Sequence, residues 1–165
     1  MCEIDGNAVL VEPMRNKTEY TMVEAYQKMI DRLKTVGSCL IFFLDNEIPV
    51  KYKKAMEKNG MHWEMVPVGM HRRNVAEKTA QTFKGNFKSI LCGVATNFPL
   101  NKWDTLLPKA ELTYNLLNQS NIAPNMSAQY YTFGPHDFNR MPLAPLGRAV
   151  QIHKKPSKWR TWAVH

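Results

Sequence analysis

The sequence predicts an α/β fold in which helices flank a sheet, and three observations predict it. The apolar run at 41–44 is typical of a buried strand and ends at an acid, Asp45. Amphipathic segments lie on both sides of it, one ending near Gly37 and one starting near Val75. A second short strand is predicted at 62–66. Such alternation is typical of α/β domains, and 165 residues with 44% hydrophobic content suffice for one domain with a core.

The N-terminal elements are predicted to be a turn, a strand and a helix. A turn at 5–7 precedes a short strand at 8–13. Residues 1–4 are too few to pair well with that strand, so we expect the chain to begin inside a domain. The helix begins after an N-cap at Thr18 and ends near Gly37. Its predicted apolar face consists of Tyr20, Val23, Tyr26, Ile30 and Leu33.

The next helix is predicted to run from Pro49, in its first turn, to Gly60. It is rich in lysine, and lysines on a helix more often form a solvated face than a DNA contact. We therefore interpret its lysines as a solvated face. They are Lys51, Lys53, Lys54 and Lys58.

The helix that starts near Val75 has two distinct predicted faces. Its acid, Glu77, lies near the N-terminus, and an amide and two cations follow at i+4, i+7 and i+11 on the same side. Such a face could hold a metal at one end and a phosphate backbone along the rest. This polar face consists of Glu77, Gln81, Lys84 and Lys88. The predicted packing stripe of the same helix consists of Ala76, Thr79, Ala80, Phe83, Phe87, Ile90 and Leu91.

The C-terminal half is predicted to contain two more helices. Pro108 predicts a kink or a helix start in the first. A short helix at 127–133 is closed by Gly134. The basic and aromatic tail at 148–165 could bind single-stranded nucleic acid or be the first part of another domain. The predicted core face of the first helix comprises Trp103, Leu106, Leu107, Ala110, Tyr114 and Leu117.

Charge and cysteine content limit the classes of function. The formal net charge of +8 and pI near 9.5 favour a polyanionic partner such as nucleic acid. Cys2, Cys39 and Cys92 form neither a disulfide framework nor a zinc motif, so a reducing compartment is the simpler interpretation. No apolar run approaches the roughly 20 residues that span a membrane, and no export signal is visible.

Two carboxylates, Asp45 and Glu77, are the candidate metal ligands. Hard cations such as Mg²⁺ and Mn²⁺ prefer oxygen ligands, and phosphoryl transfer commonly uses carboxylates to hold them. Alone, Asp45 is explained as the acid that ends a strand, and Glu77 as a partner of the helix dipole. Together with the basic pair Arg72 and Arg73 and the cationic face that follows Glu77, they favour a metal site beside a DNA-binding surface. The sequence contains no glycine-rich phosphate loop and no serine-hydrolase or zinc-protease motif.

An ordered set of short segments carries a likeness to a known family. The segments are 43–47, 71–78, 82–84, 98–100, Trp103, 106–108, 110–112, 115–117, 133–134, 137–140, 142–145, Gly147, 155–157 and 159–162. Together they resemble the integrase catalytic core of long-terminal-repeat retrotransposons. The acid-bearing strand end and the Asn-x-x-Glu segment are moderately specific, and the full ordered set is much more so. The likeness extends over nearly the whole chain from about Ala8.

The resemblance implies a ribonuclease-H-like fold with a mixed sheet between helices and an Asp-Asp-Glu triad that binds Mg²⁺ or Mn²⁺. Such enzymes trim the ends of element DNA and join them to target DNA in the host nucleus, and they act as multimers. By position, Asp45 matches the second acid and Glu77 the third. Gln81 and Lys84 match the helix face that lies against the end of the element DNA.

The resemblance also places the first acid of the triad on a strand upstream of this chain. Asp5 lies in a turn and is not assigned to that role. The spacing of Asp45 and Glu77 is a few residues shorter than is common in the family, and Lys78 stands where an arginine is usual. We therefore expect residues 1–147 to be an N-terminally truncated core with impaired catalysis, followed by a basic tail. The alternative is a non-catalytic, nucleic-acid-binding remnant of a transposable element.

Overall fold

The computed structural model describes residues 1–34, 41–44, 48–65, 75–145 and 147. The protein is a mixed α/β structure, as the sequence predicts. The strands in these residues form two separate two-stranded sheets, β1 with β2 and β3 with β4, where one mixed sheet was expected. The elements in order are β1 (Cys2–Glu3), β2 (Ala8–Val9), α1 (Glu19–Lys34), β3 (Ile41–Leu44), α2 (Val50–Lys58), β4 (His62–Met65), α3 (Val75–Cys92), a 3-10 helix (Leu100–Leu106), α4 (Leu107–Leu117) and α5 (Ala128–Phe133).

The N-terminal hairpin shows that the expected failure of residues 1–4 to pair was wrong. In the antiparallel pair, Cys2 lies opposite Val9 and Glu3 opposite Ala8. The Glu3 carboxylate, itself buried, accepts hydrogen bonds from the backbone N–H groups of Asp5 (3.0 Å) and Gly6 (2.6 Å) inside the turn. Because a side chain of β1 bonds to the backbone of the turn, two residues in each strand are enough to form the pair.

The outer edge of β2 is closed by side chains of α4. The Asn115 amide accepts from the Val9 N–H (2.8 Å) and donates to the Val9 carbonyl (2.9 Å). The Glu111 carboxylate accepts from the Val11 N–H (2.7 Å). Polar side chains of a helix therefore satisfy backbone groups that a neighbouring strand would pair in a larger sheet. In the part of the chain that the structure describes, α4 therefore takes the place of a third strand at this edge of the β1–β2 pair.

The first core cluster lies between α1 and α2. Its buried members are Leu10, Tyr26, Ile30, Leu33 and Met56. The predicted helix is confirmed and begins after Thr18, whose hydroxyl accepts from the Thr21 N–H (3.5 Å). Tyr20 was wrongly placed on the packing face, since it is 76% exposed in the first turn, away from this cluster.

The second helix and the two parallel strands form a crossover unit. Strands β3 and β4 pair in parallel, from Ile41 opposite His62 to Leu44 opposite Met65, and α2 connects them. Pro49 is the N-cap of α2 and not part of its first turn. The lysines of α2 are largely solvated, as predicted, apart from Lys53, whose ammonium lies over the Trp63 ring (4.9 Å).

The second core cluster lies between α3, α4 and β2. Its buried members are Val9, Phe83, Leu107, Ala110 and Tyr114. The packing stripe predicted for α3 is therefore correct from Phe83 onward. It is wrong for Ala76 and Ala80, which are exposed, because α4 and the 3-10 helix meet the later turns of α3.

The remaining helices begin where the sequence predicts. The helix start expected near Pro108 is confirmed, since the 3-10 helix ends at Leu106 and α4 begins at Leu107. Ser127 caps α5 by accepting from the Tyr130 N–H (3.1 Å), and Gly134 follows with a positive φ of 88°. Two residues predicted in the core are exposed, Trp103 at 41% and Leu117 at 77%.

Candidate functional site

Helix α3 carries the polar face that the sequence predicts. Glu77 lies in its first turn, and Gln81, Lys84 and Lys88 follow along the helix. All four side chains are exposed. From Glu77 to Lys88 the face extends about 16 Å along the helix axis. It therefore presents one carboxylate at the N-terminal end and two ammonium groups toward the C-terminal end.

Aromatic packing on the opposite side of α3 holds this face toward solvent. Phe83 packs edge-on against Tyr114, with ring centroids 5.5 Å apart. Phe87 packs edge-on against Trp103 at 6.2 Å and lies parallel to Phe83 at the same distance. Aromatic pairs of this kind add specific geometry to apolar burial. The rotation of α3 about its axis is thus fixed by two aromatic residues of its own, one turn apart.

The first turns of α3 lie against the N-terminal hairpin. The Cys2 sulfur is 3.8 Å from the Thr79 hydroxyl, two residues after Glu77. Burial raises the pKa of the Cys2 thiol, and the Thr79 hydrogen bond opposes that shift only in part. A thiol with a raised pKa is a weak nucleophile at neutral pH. Cys2 therefore contributes packing beside the candidate site and no reactive thiolate.

Three of the predicted site residues, Asp45, Arg72 and Arg73, lie outside the described residues. The structure does fix the elements next to them in the chain. Asp45 directly follows β3, whose last residue, Leu44, pairs with Met65 at the end of β4. The carboxyl ends of two parallel strands therefore meet at one edge, which is where open α/β sheets bind ligands. Among the residues that the structure describes, no three His, Cys, Asp or Glu side chains form a metal-binding group.

Sequence reasoning missed the structural role of three polar residues. Glu3, Glu111 and Asn115 are buried and bonded to backbone groups of the hairpin and the segment after it. Glu111 also forms an ion pair with Arg32 of α1, with one N–O distance of 3.3 Å. A signal was present, because Glu111 and Asn115 each follow a residue of the predicted apolar stripe of α4 and are themselves four residues apart. These three residues support the fold, and their burial is accounted for without a ligand.

Comparison with known proteins identifies a fold. No protein-family model matches the chain, and no curated protein matches it in sequence. A solved structure, the catalytic core domain of BIV integrase, superposes with a TM-score of 0.59 at 12% identity, over 79% of this chain and 81% of that one. The fold is similar to that of an integrase catalytic core. At 12% sequence identity, this likeness shows an integrase-like fold and carries no further conclusion.

A second solved structure is more distant. It is the simian T-cell lymphotropic virus intasome in complex with PP2A regulatory subunit B56 gamma, with a TM-score of 0.47 at 15% identity. The match covers 96% of this chain and 58% of that chain, so the protein spans little more than half the length of that chain.

In the described part of the chain, none of the helices is long and apolar enough to cross a membrane.

Proposed function

We propose that this chain is the greater part of a retrotransposon integrase core, a DNA integration protein whose intact parent transfers DNA strands. The observation that carries the proposal is the exposed face of α3, where Glu77 precedes Gln81, Lys84 and Lys88. The integrase-like fold supports it, and so does the sequence position of Asp45, which follows β3 at the carboxyl-end edge where open α/β sheets bind ligands. The proposed partners are element DNA, target DNA and further copies of the chain, and the proposed location is the host nucleus.

In this proposal, Asp45 and Glu77 hold Mg²⁺ or Mn²⁺. The donor chemistry fits, because both residues are carboxylates, the ligand type that these hard cations prefer, and Glu77 lies at the exposed start of α3. When bound, such ions activate the attacking oxygen and stabilise the leaving oxygen in phosphodiester chemistry. Arg72, Arg73, Gln81, Lys84 and Lys88 would hold the phosphate backbone beside the scissile bond.

The residues of α3 have separate roles in this proposal. Lys84 and Lys88 contact phosphates through charge, which supplies affinity without sequence preference. Gln81 has both a donor and an acceptor, so it can bond to a base edge or a sugar. Glu77 repels phosphate unless a cation lies between them, so metal and DNA are expected to bind cooperatively at this end of the helix.

The test is Mn²⁺ binding by the whole chain, measured by calorimetry, with Glu77→Gln compared to the unchanged protein. Loss of a carboxylate ligand is expected to lower Mn²⁺ affinity about tenfold or more. DNA binding without metal should be retained or slightly increased, because a negative charge has been removed from the face. Asp45→Asn should behave in the same way.

The matched control is Asp104→Asn, which removes an exposed carboxylate from the 3-10 helix and should leave Mn²⁺ affinity unchanged. If Glu77→Gln and Asp45→Asn bind Mn²⁺ as the control does while DNA binding persists, the metal site does not exist. The chain would then be the non-catalytic, nucleic-acid-binding remnant.

A further inference from the structure

Helix α2 has an unusual distribution of charge. Four of its nine residues are lysines, and it contains one acid, Glu57. Lys51, Lys54 and Lys58 follow one another at i, i+3 and i+7, so they share one side of the helix, and all three are exposed. We call these three residues the α2 lysine row. The opposite side of α2 is apolar and packs its buried Met56 into the first core cluster.

The first part of the α2 lysine row is unfavourable for the helix itself, whereas Lys58 lies in the last turn, where the helix dipole favours a cation. Cations near a helix N-terminus are repelled by the helix dipole, and α2 has no acid in its first turn, whereas α1 begins with Glu19 and α3 carries Glu77. Like charges three and four residues apart also repel each other. The positive charge of Lys51 is offset by an ion pair with Glu19 of α1, with an N–O distance of 3.1 Å. A charge pattern that weakens its own helix indicates a role outside the helix.

A fourth cation extends the row past the end of α2. The Lys34 ammonium, at the C-terminus of α1, donates to the side-chain oxygen of Asn59 (2.6 Å), which is the C-cap of α2. Asn59 is fixed in turn, because its amide nitrogen donates to Gln27 (3.0 Å) and to the Ala55 carbonyl (2.9 Å). A bonded network therefore holds the Lys34 ammonium against Asn59, the residue that follows Lys58 in the chain.

We infer that the α2 lysine row together with Lys34 is a second surface for the phosphate backbone of duplex DNA, separate from the α3 face. From Lys51 to Lys58 the row is about 10 Å long, roughly the rise of three base pairs. The two surfaces lie on helices that pack into different core clusters. A protein that joins two DNA molecules needs two such surfaces, and in this respect the inference rests on the proposed function.

The test compares Lys54→Gln/Lys58→Gln with the unchanged chain. Binding to a fluorescent 20-base-pair duplex of arbitrary sequence is followed by anisotropy between about 50 and 200 mM salt. Loss of two phosphate contacts should reduce the slope of log K against log salt by about two, and lower the affinity at 100 mM salt by about tenfold. The melting temperature should change little, because the relief of repulsion within α2 and the loss of a favourable cation from its last turn oppose each other.

Two further double variants complete the design. Lys17→Gln/Lys102→Gln removes two exposed lysines elsewhere and should change the slope by much less than the α2 pair. If the α2 pair and this control behave alike, the inference is overturned. Lys84→Gln/Lys88→Gln tests the α3 face, so a slope that falls for α3 alone refutes the inference and leaves the proposed function intact. A slope that falls for α2 alone supports the inference and counts against the DNA contact on α3.

Discussion

The two core clusters hold their helices by different physical means. In the first cluster α1 and α2 meet through apolar and aromatic side chains, and Tyr26 packs on Tyr52 with ring centroids 4.8 Å apart. In the second, α4 contributes apolar residues together with the buried side chains of Glu111 and Asn115. Apolar contacts are non-directional, whereas each hydrogen bond from Asn115 requires one partner at one position. The first cluster therefore tolerates changes of shape, and the second specifies which backbone lies beside α4.

Asn115→Leu is expected to have the largest effect of the changes proposed for this comparison. The substitution keeps most of the side-chain volume but leaves the buried N–H and carbonyl of Val9 without partners. Each unsatisfied group costs about 1–3 kcal/mol, so we expect unfolding by urea to show a loss of about 4 kcal/mol. Asn86→Leu, at an exposed position of α3, should change stability by less than about 0.5 kcal/mol.

The matched change in the first cluster is Met56→Leu, at a position that is fully buried. A swap of similar volume in an apolar core usually costs less than about 1.5 kcal/mol. Equal losses for Asn115→Leu and Met56→Leu would contradict the distinction between the two clusters.

Glu111→Gln is expected to have an intermediate effect. The amide oxygen can still accept from the Val11 N–H, but the ion pair with Arg32 is lost. Because the Arg32 side chain is 43% exposed, water screens much of that attraction, and we expect a loss of about 1–2 kcal/mol in the same urea experiment. The loss should shrink at 1 M salt. A salt-independent loss would indicate that Glu111 acts through hydrogen bonding alone.

Cys2 gives the smallest expected effect, and it depends on pH. Burial raises the pKa of its thiol, so the folded chain keeps this proton to a higher pH than the unfolded chain does. The resulting stabilisation is complete below about pH 8.5, the ordinary thiol pKa, and is lost as the pH rises through the raised value. Stability measured from pH 7.5 to 9.5 should therefore fall less steeply in Cys2→Ala than in Cys92→Ala, whose thiol is exposed. Parallel curves for the two variants would refute this.

Among the helices, the packing faces that could be predicted are those whose apolar residues repeat along the helix and meet a neighbouring element. The packing face of α1 could be predicted from Tyr26, Ile30 and Leu33, and the packed half of α3 from Phe83 and Phe87. The failures at Tyr20 and Leu117 arise at helix ends, where periodicity continues but neighbouring elements do not reach. Helical spacing alone cannot tell where a packing partner stops.

The polar contacts were not predictable for a different reason. Asn115 and Val9 are 106 positions apart, and an asparagine on a helix has the same pattern whether it is solvated or bonded to a distant strand. For the candidate site, the exposed face from Glu77 to Lys88 could be predicted, because it depends on α3 alone. Asp45, Arg72 and Arg73 lie outside the described residues, so their roles stay predictions.

The long separation between Asn115 and Val9 has a consequence for the order of folding. The hairpin turn is also bonded to distant residues, since the Asp5 carbonyl accepts from the backbone N–H groups of Asn121 (3.0 Å) and Ile122 (3.2 Å). Contacts between such distant residues form slowly, because a long loop must close first. During synthesis, the hairpin is made before α4 and must wait for α4 and the loop after it to leave the ribosome. The hairpin is therefore expected to reach its final structure later than elements that are made after it.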